Sequence, residues 1–287
     1  VFGALKNKKH VVTANKALIS KYGDQLSKIA EKNKVNLEFE AAVCGGVPII
    51  RSIKEGLIAN KIRRIYGIFN GTSNYVLSSM DINKTSFANT INKAIKLGYA
   101  EANPSSDING DDVAAKVKIL SCLSFNSFIN NDIHVEGIKD VNEEDMMNAN
   151  KLGYKIKLMG FSEIINNKIY QRVHPTLVKK TSYIAGVNGV LNAVIIDGKP
   201  IGKNIIQGEG AGPSATTSAL VSDISSIMRG NIKFPFAISN SKRKLYSHGK
   251  IIDLYFSSYI RLNVKDKYGV LSDVTKIFSN NKVSIKR

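Results

Sequence analysis

Apolar and polar positions alternate with different textures along the chain. HVVTA (residues 10–14) is a short apolar run of the kind that forms a buried strand, and Asn15 stands where it can cap a helix carrying Leu18, Tyr22, Leu26, Ile29 and Ala30 on one face. NLEFEAAV (36–43) predicts a second strand. Strand, helix and strand within roughly 35 residues is the size of a crossover unit in a parallel sheet, so this region reads as part of a doubly wound α/β domain.

The texture changes at Cys44. CGGVP is a glycine loop, Pro48 suits the first turn of a helix, and Ile49, Ile50, Ile53 and Leu57 give that helix an apolar stripe. RRIYGIFNGTSNYVL (63–77) predicts a strand, a tight turn at Asn70-Gly71 and a helix capped by Thr72 or Ser73. A helix bearing Phe87, Ile91, Ala94 and Ile95 stops at Gly98. Between 135 and 206 strand-like runs predominate, among them KIYQRVHPTLV, SYIAGV and AVIIDG. QGEGAGPSATTSALVSDISSIMRG (207–230) is a glycine turn feeding a helix with Pro213 in its first turn and Gly230 past its end. After a lysine-rich stretch, residues 259–286 read as strand, turn, amphipathic helix and strand.

Composition narrows the function classes. Hydrophobic residues make up 43% of 287 and charged residues 22%, and no apolar run approaches the roughly 18 residues of a membrane span. Lys and Arg number 41 against 23 Asp and Glu, a net charge of +18 that keeps nucleic acid as a secondary reading. The lysines are scattered singly, however, with no aromatic-basic interleaving, which fits a solvated surface better. Cys44 and Cys122 lack CxxC spacing and fit a reducing cytoplasm, and the four histidines lack HExxH spacing, so no transition metal is expected. The chain opens without Met and closes inside a strand-like run, which reads as a fragment cut at both ends and predicts little turnover by these residues alone.

The scarce acids cluster in AEANPSSDINGDDVAAKVKIL (100–120), which brings Glu101, Asp107, Asp111 and Asp112 just ahead of Lys116. With Asn109 or Asp111 as the cap, Asp112 and Lys116 fall four apart on one helical face while Val113, Val117 and Leu120 turn to the core. An exposed ion pair would explain that spacing. The additional carboxylates point further, to a bound ammonium group, and to a lysine kept protonated inside a cleft as a general acid. Lys16 sits just inside a predicted helix N-terminus, where the macrodipole disfavours a cation by about 0.3 to 1 kcal/mol.

In order, VVTANKALI, FEAAVCGGVPII, GIFNGTSNYVL, GYAEANPSSDINGDDVAAK, VNGVLNAV and GEGAG resemble homoserine dehydrogenase over residues 9 to 230. The resemblance implies NAD(P)-dependent interconversion of aspartate 4-semialdehyde and homoserine on the route to threonine, methionine and isoleucine. It implies that Lys116 donates the proton, that Lys16 faces cofactor and substrate, and that Glu101 holds the substrate amino group. Asp107 and Asp112 support Glu101, and Asn70, Gly71 and Thr72 line the pocket. Gly208, Gly210 and Gly212 become cofactor neighbours, and Glu40, Val43, Gly45 and Val47 match a monovalent (sodium-type) cation site, although Gly45 and Gly46 are equally explained by a tight domain crossing.

The expected architecture is then an incomplete Rossmann-like nucleotide-binding domain at 1–43 with 207–230 returning to it. An α+β catalytic and dimerisation domain at 44–206 and a linker at 231–257 follow. Residues 258–287 resemble the start of a ferredoxin-like ACT domain, with Asp266 and Gly269 in its effector turn and Tyr268 in place of the usual proline. A cytoplasmic homodimer acting on a small molecule, without nucleic-acid or membrane partners, completes the reading. A catalytically weak fragment serving as an amino-acid-binding ACT module is the alternative.

Overall fold

The computed structural model describes residues 1–129, 131–231 and 233–285 and divides into two compact units, Val1–Tyr255 and the residues from Phe256 onward. The first unit opens with helix α1 (Phe2–Lys6), strand β1 (Val11–Val12), helix α2 (Lys16–Asn33) and strand β2 (Leu37–Glu38). Asn15 caps α2, its side-chain oxygen accepting the Leu18 N–H at 2.9 Å. The strands β1 and β2 pair in parallel, Val11 opposite Leu37. Beyond Glu38 the expected strand breaks into a 3₁₀ turn over Glu40–Ala42, because the Glu40 N–H turns to Asp223 Oδ2.

Next come α3 (Ile49–Arg51), continued by a wider turn to Gly56, then β3 (Lys61–Ile68) and α4 (Gly71–Asn83). The cap of α4 is Asn70, which accepts the Ser73 N–H at 2.8 Å, and not Thr72 or Ser73. Helices α5 (Phe87–Lys96), α6 (Ser105–Asn109) and α7 (Asp111–Phe125) follow. Neither Asn109 nor Asp111 caps α7. Gly110, at φ 90°, breaks the chain between α6 and α7, a conformation glycine adopts without strain. Val113, Val117 and Leu120 are buried as the spacing predicts.

The sheet is completed by β4 (His134–Val135), β5 (Tyr154–Ile165) after α8 (Glu143–Lys151), β6 (Lys168–Lys179), β7 (Leu191–Lys199) and β8 (Gly202–Glu209). Its order is β4-β6-β5-β3-β7-β8, with β3 antiparallel to both β5 and β7. SYIAGV is a 3₁₀ turn, Tyr183–Gly186, that covers one face of the sheet with Ile184 and Ala185, and not a strand. Helix α7 packs on the other face. A Cβ on Gly160 of β5 would come within 2.5 Å of Val117, so glycine there sets how closely helix and sheet approach.

Helix α9 (Pro213–Met228) returns to the first residues, where its Asp223 and Ser222 hold Arg51. Residues 233–255 do not form a free linker. Phe236 is 1% exposed between Phe39 and Phe128, and Arg243 pairs with Asp24 at 2.7 Å, before the short strand β9 (Ser247–Gly249) adds to β6. In the second unit α10 (Val270–Asn280) is the regular element among the described residues, starting at Gly269. Among the described residues the strands expected on either side of it are not formed, since strand propensity gives a strand only where a ladder completes it. The last two positions of that expectation, 286 and 287, lie outside the described residues.

Replacing Phe236 with alanine removes a fully buried ring and should cost about 3 to 5 kcal/mol of unfolding free energy, read from the urea midpoint. A change under about 1 kcal/mol would mean that the segment is tethered, not packed.

Candidate functional site

Five of the residues singled out by sequence meet where β3 runs into α4, beside the first turns of α2 and α7. Asp112 is at the centre. Its Oδ1 lies 3.0 Å from Lys16 Nζ and its Oδ2 lies 2.8 Å from Lys116 Nζ, while the Asn70 side-chain amide donates to Oδ2 at 2.8 Å. The second N–H of the same amide goes to Asp107 Oδ1 at 2.7 Å. Lys116 also donates to the Phe69 carbonyl at 2.6 Å.

Local structure explains how these groups arrive together. Asn70 stands two residues past the end of β3 and caps α4, so its amide is fixed by the Ser73 bond before it touches either aspartate. Asp112 and Lys116 are one turn apart on α7, and Lys16 is the first residue of α2. The misplaced cation at that N-terminus is thereby accounted for: Asp112 compensates it.

Asp112 and Lys116 are only 6% and 8% exposed, so this is a buried pair and not the solvated one that its spacing alone would suggest. Removing an ion from water costs several kcal/mol. At an effective dielectric near 20, each contact at ~3 Å returns about 5 to 6 kcal/mol, and Asp112 makes two. Burial pushes the Asp112 carboxyl up, but the two ammonium groups and the Asn70 amide overcome it and hold the pKa at about 2. For Lys116, burial favours the neutral amine, yet the charge and hydrogen bond of Asp112, joined by neighbours such as Asp107, together outweigh it and the pKa rises above the usual lysine value. Lys116 is therefore an ammonium, with two N–H groups committed and one left for a ligand oxygen.

The remaining expected residues divide. Asp107 is half-buried, with one oxygen on Asn70. Glu101 is exposed and unpaired among the described residues. Thr72 donates its hydroxyl to the Tyr99 carbonyl at 2.7 Å, which ties the loop carrying Glu101 to the first turn of α4. Gly71 allows close passage of another segment, since a Cβ there would lie 2.7 Å from the Val190 oxygen. Asp112 already accepts from two lysines and an amide, which leaves it less acceptor capacity for a further ammonium than Asp107 or Glu101 has. Phe69, whose carbonyl anchors Lys116, carries no signal in sequence because its role is played by the backbone.

The two glycine segments lie against each other. Gly46 N–H donates to the Glu209 carbonyl at 2.9 Å, and a Cβ on Gly210 would collide with Asn192 at 2.1 Å. Packing thus explains Gly46 and Gly210, and a Cβ on Gly208 would approach the Gly46 oxygen at 3.3 Å, whereas one on Gly212 would meet nothing within 4 Å. The Glu40 carboxylate accepts the Ile50 and Arg51 N–H groups at 2.9 and 2.7 Å. Burial raises its pKa to about 7. Among the described residues no group of three or more His, Cys, Asp or Glu side chains converges on a metal position, and no helix is long and apolar enough to cross a membrane.

The depressed pKa of Asp112 carries a pH consequence. The stabilisation is complete above the unfolded value near 3.8 and disappears as pH falls toward about 2. Asp112→Asn should remove it, so the acid-unfolding curve between pH ~4 and ~2 should flatten relative to the parent protein. Identical curves would show the carboxylate to be unpaired in solution.

The family model for homoserine dehydrogenase matches residues 48–225, which span most of this site. The homoserine dehydrogenase of Neisseria gonorrhoeae is 39% identical over 100% of this chain and 67% of its own length, and that of Bacillus subtilis is 36% identical over 99% and 66%. A homoserine dehydrogenase structure from Thiobacillus denitrificans superposes with a TM-score of 0.89 at 37% identity, covering 99% of this chain and 67% of that one. A hyperthermophilic archaeal homoserine dehydrogenase mutant in complex with NADPH gives 0.69 at 30% identity, covering 79% of this chain and 66% of its own. The chain spans about two thirds of the length of the curated relatives it matches. Matched along nearly its whole length in both sequence and fold, the chain belongs to the homoserine dehydrogenase family.

Proposed function

We propose that this chain carries the proton-transfer centre of an NAD(P)-dependent dehydrogenase that interconverts aspartate 4-semialdehyde and L-homoserine, in the synthesis of threonine, methionine and isoleucine. The observation that carries this reading is the buried Lys116 ammonium, kept charged by Asp112 and left with one uncommitted N–H. As hydride reaches the aldehyde carbon, negative charge collects on its oxygen, and Lys116 stabilises that charge and delivers the proton, giving the alcohol. The neutral amine left behind loses its attraction to Asp112, which favours its reprotonation. In the reverse direction the same amine accepts the proton as the alcohol is oxidised. General acid catalysis of this kind contributes about 10²- to 10⁴-fold.

The substrate ammonium is assigned to the acids with the most acceptor capacity left, the exposed Glu101 and the outer oxygen of Asp107. Asn70, Gly71 and Thr72 form the wall that positions them. The nicotinamide, when bound, supplies or accepts the hydride. Lys16 suits its neighbourhood, because it is 42% exposed at its side chain and stands past the carboxyl ends of the parallel strands β1 and β2, the edge where doubly wound sheets receive nucleotides. Gly208 and Gly210 are filled by packing, so of that glycine segment Gly212 alone leaves room for a ligand.

A monovalent cation near the first glycine loop would have to use main-chain carbonyls of Glu40, Val43, Gly45 and Val47, since the Glu40 carboxylate is occupied at α3. A homodimer fits the face of the sheet opposite α7. There Tyr66, Phe161 and His174 stack in a row flanked by Arg64 and Arg172.

Lys116→Met in the full-length protein should lower kcat by about 10²- to 10⁴-fold, followed as the loss of NADPH absorbance with the semialdehyde. Wild-type turnover in that variant would remove the proton-donor assignment. Glu101→Gln should act differently, raising KM for the semialdehyde about tenfold or more while kcat changes less. An unchanged KM would place the ammonium elsewhere.

A further inference from the structure

Lys157 on β5 is 1% exposed, and its ammonium is surrounded by neutral oxygens: Asn74 Oδ1 at 3.0 Å, Ser78 Oγ at 3.2 Å, the Val187 carbonyl at 2.5 Å and Asn188 Oδ1 at 3.1 Å. Among the described residues the other two buried lysines, Lys54 and Lys116, each sit on a carboxylate. Burying a lysine in this way is costly, and burial, reinforced by Lys155 and opposed by Asp81, brings its pKa down to about 7. What the group does in return is gather the oxygens around it.

Those oxygens come from two segments: α4, and the loop 187–190 that leads into β7. Asn74 joins the same two, its amide shared among the Val187, Gly189 and Leu191 carbonyls. The loop also lies against the first turn of α4, the Val190 oxygen being 2.7 Å from where a Gly71 Cβ would stand. Asn70, which grips Asp107 and Asp112, is the cap of that turn.

We propose that Lys157 is a positioning residue, a tethered amino group that clamps loop 187–190 onto α4 and so fixes Asn70 against Asp107 and Asp112. The kinetic part of this inference rests on the dehydrogenase reading above; the structural part does not. Lys157→Ala removes Cγ, Cδ, Cε and Nζ and leaves a vacancy whose far end is lined by those oxygens. In the full-length protein this variant should lose about 10- to 100-fold in kcat with KM for the semialdehyde within about threefold, because misplacement by ~1 Å costs up to ~10²-fold. Methylammonium should restore at least part of the loss, and tetramethylammonium at equal ionic strength should not.

Amide hydrogen exchange read without substrate or cofactor should rise at least tenfold across 187–191 and 71–75. Unchanged exchange in those segments overturns the clamp, whether or not the protein turns over. Raised exchange with wild-type kcat overturns the link to the site, while a parent protein without dehydrogenase activity would refute the functional reading and leave the exchange result to decide the clamp. Should Lys157→Ala fail to fold, Asn188→Ala removes one loop-side acceptor, and the same rise across 187–191 is expected; its absence overturns the proposal.

Discussion

Two ammonium groups share one buried carboxylate, and the rest of the site is arranged around that fact. A lone Asp112 at this depth would protonate, and a lone Lys116 would lose its proton. Together, with Lys16 as the second cation, each keeps the other charged. The arrangement depends on three elements meeting, because α7 supplies the pair, α2 supplies Lys16, and the end of β3 supplies the Asn70 amide and the Phe69 carbonyl. A shift of any one of them by a few tenths of an ångström would leave a buried charge imperfectly matched, which is why the surrounding backbone is held so closely.

That holding is done largely by main chain. The loop at Gly46 hydrogen-bonds to Glu209, Gly71 admits the Val190 carbonyl, and Gly160 lets α7 settle on β5. Glu40 and Asp223 join the same crossing from both sides, one capping α3 and the other accepting the Glu40 N–H while pairing with Arg51. Glycine motifs that resemble ligand cradles in sequence therefore serve first as close-packing positions, and Gly212, at the start of α9, is the exception.

Much of the first unit is legible from local rules. Asn15 as a cap, Pro213 in a first turn, Gly98 and Gly230 as stops, and the inward face of α7 all follow from short-range geometry. The failures are informative. SYIAGV has the composition of a strand but turns over the sheet, because its apolar residues find burial against a face already built by other strands. The lysine-rich stretch after 230 has the composition of a linker, yet Phe236 and Arg243 anchor it to α2 and β2 through partners some 200 residues away in sequence. Residues 259–264 have strand propensity but form no strand, because propensity alone, without a ladder, does not make one.

The sequence by itself determined the longer amphipathic helices, the Asn15 cap, the i,i+4 relation of Asp112 to Lys116 and the concentration of acids ahead of them, since all of these depend on neighbours within one or two turns. Only the tertiary structure decided that Lys16 reaches Asp112 across 96 residues and that Asn70 bridges two aspartates. It also decided that Lys157 is buried among neutral oxygens. Charge state follows from burial and from partners brought in by the fold, and neither quantity is carried by residue type or spacing.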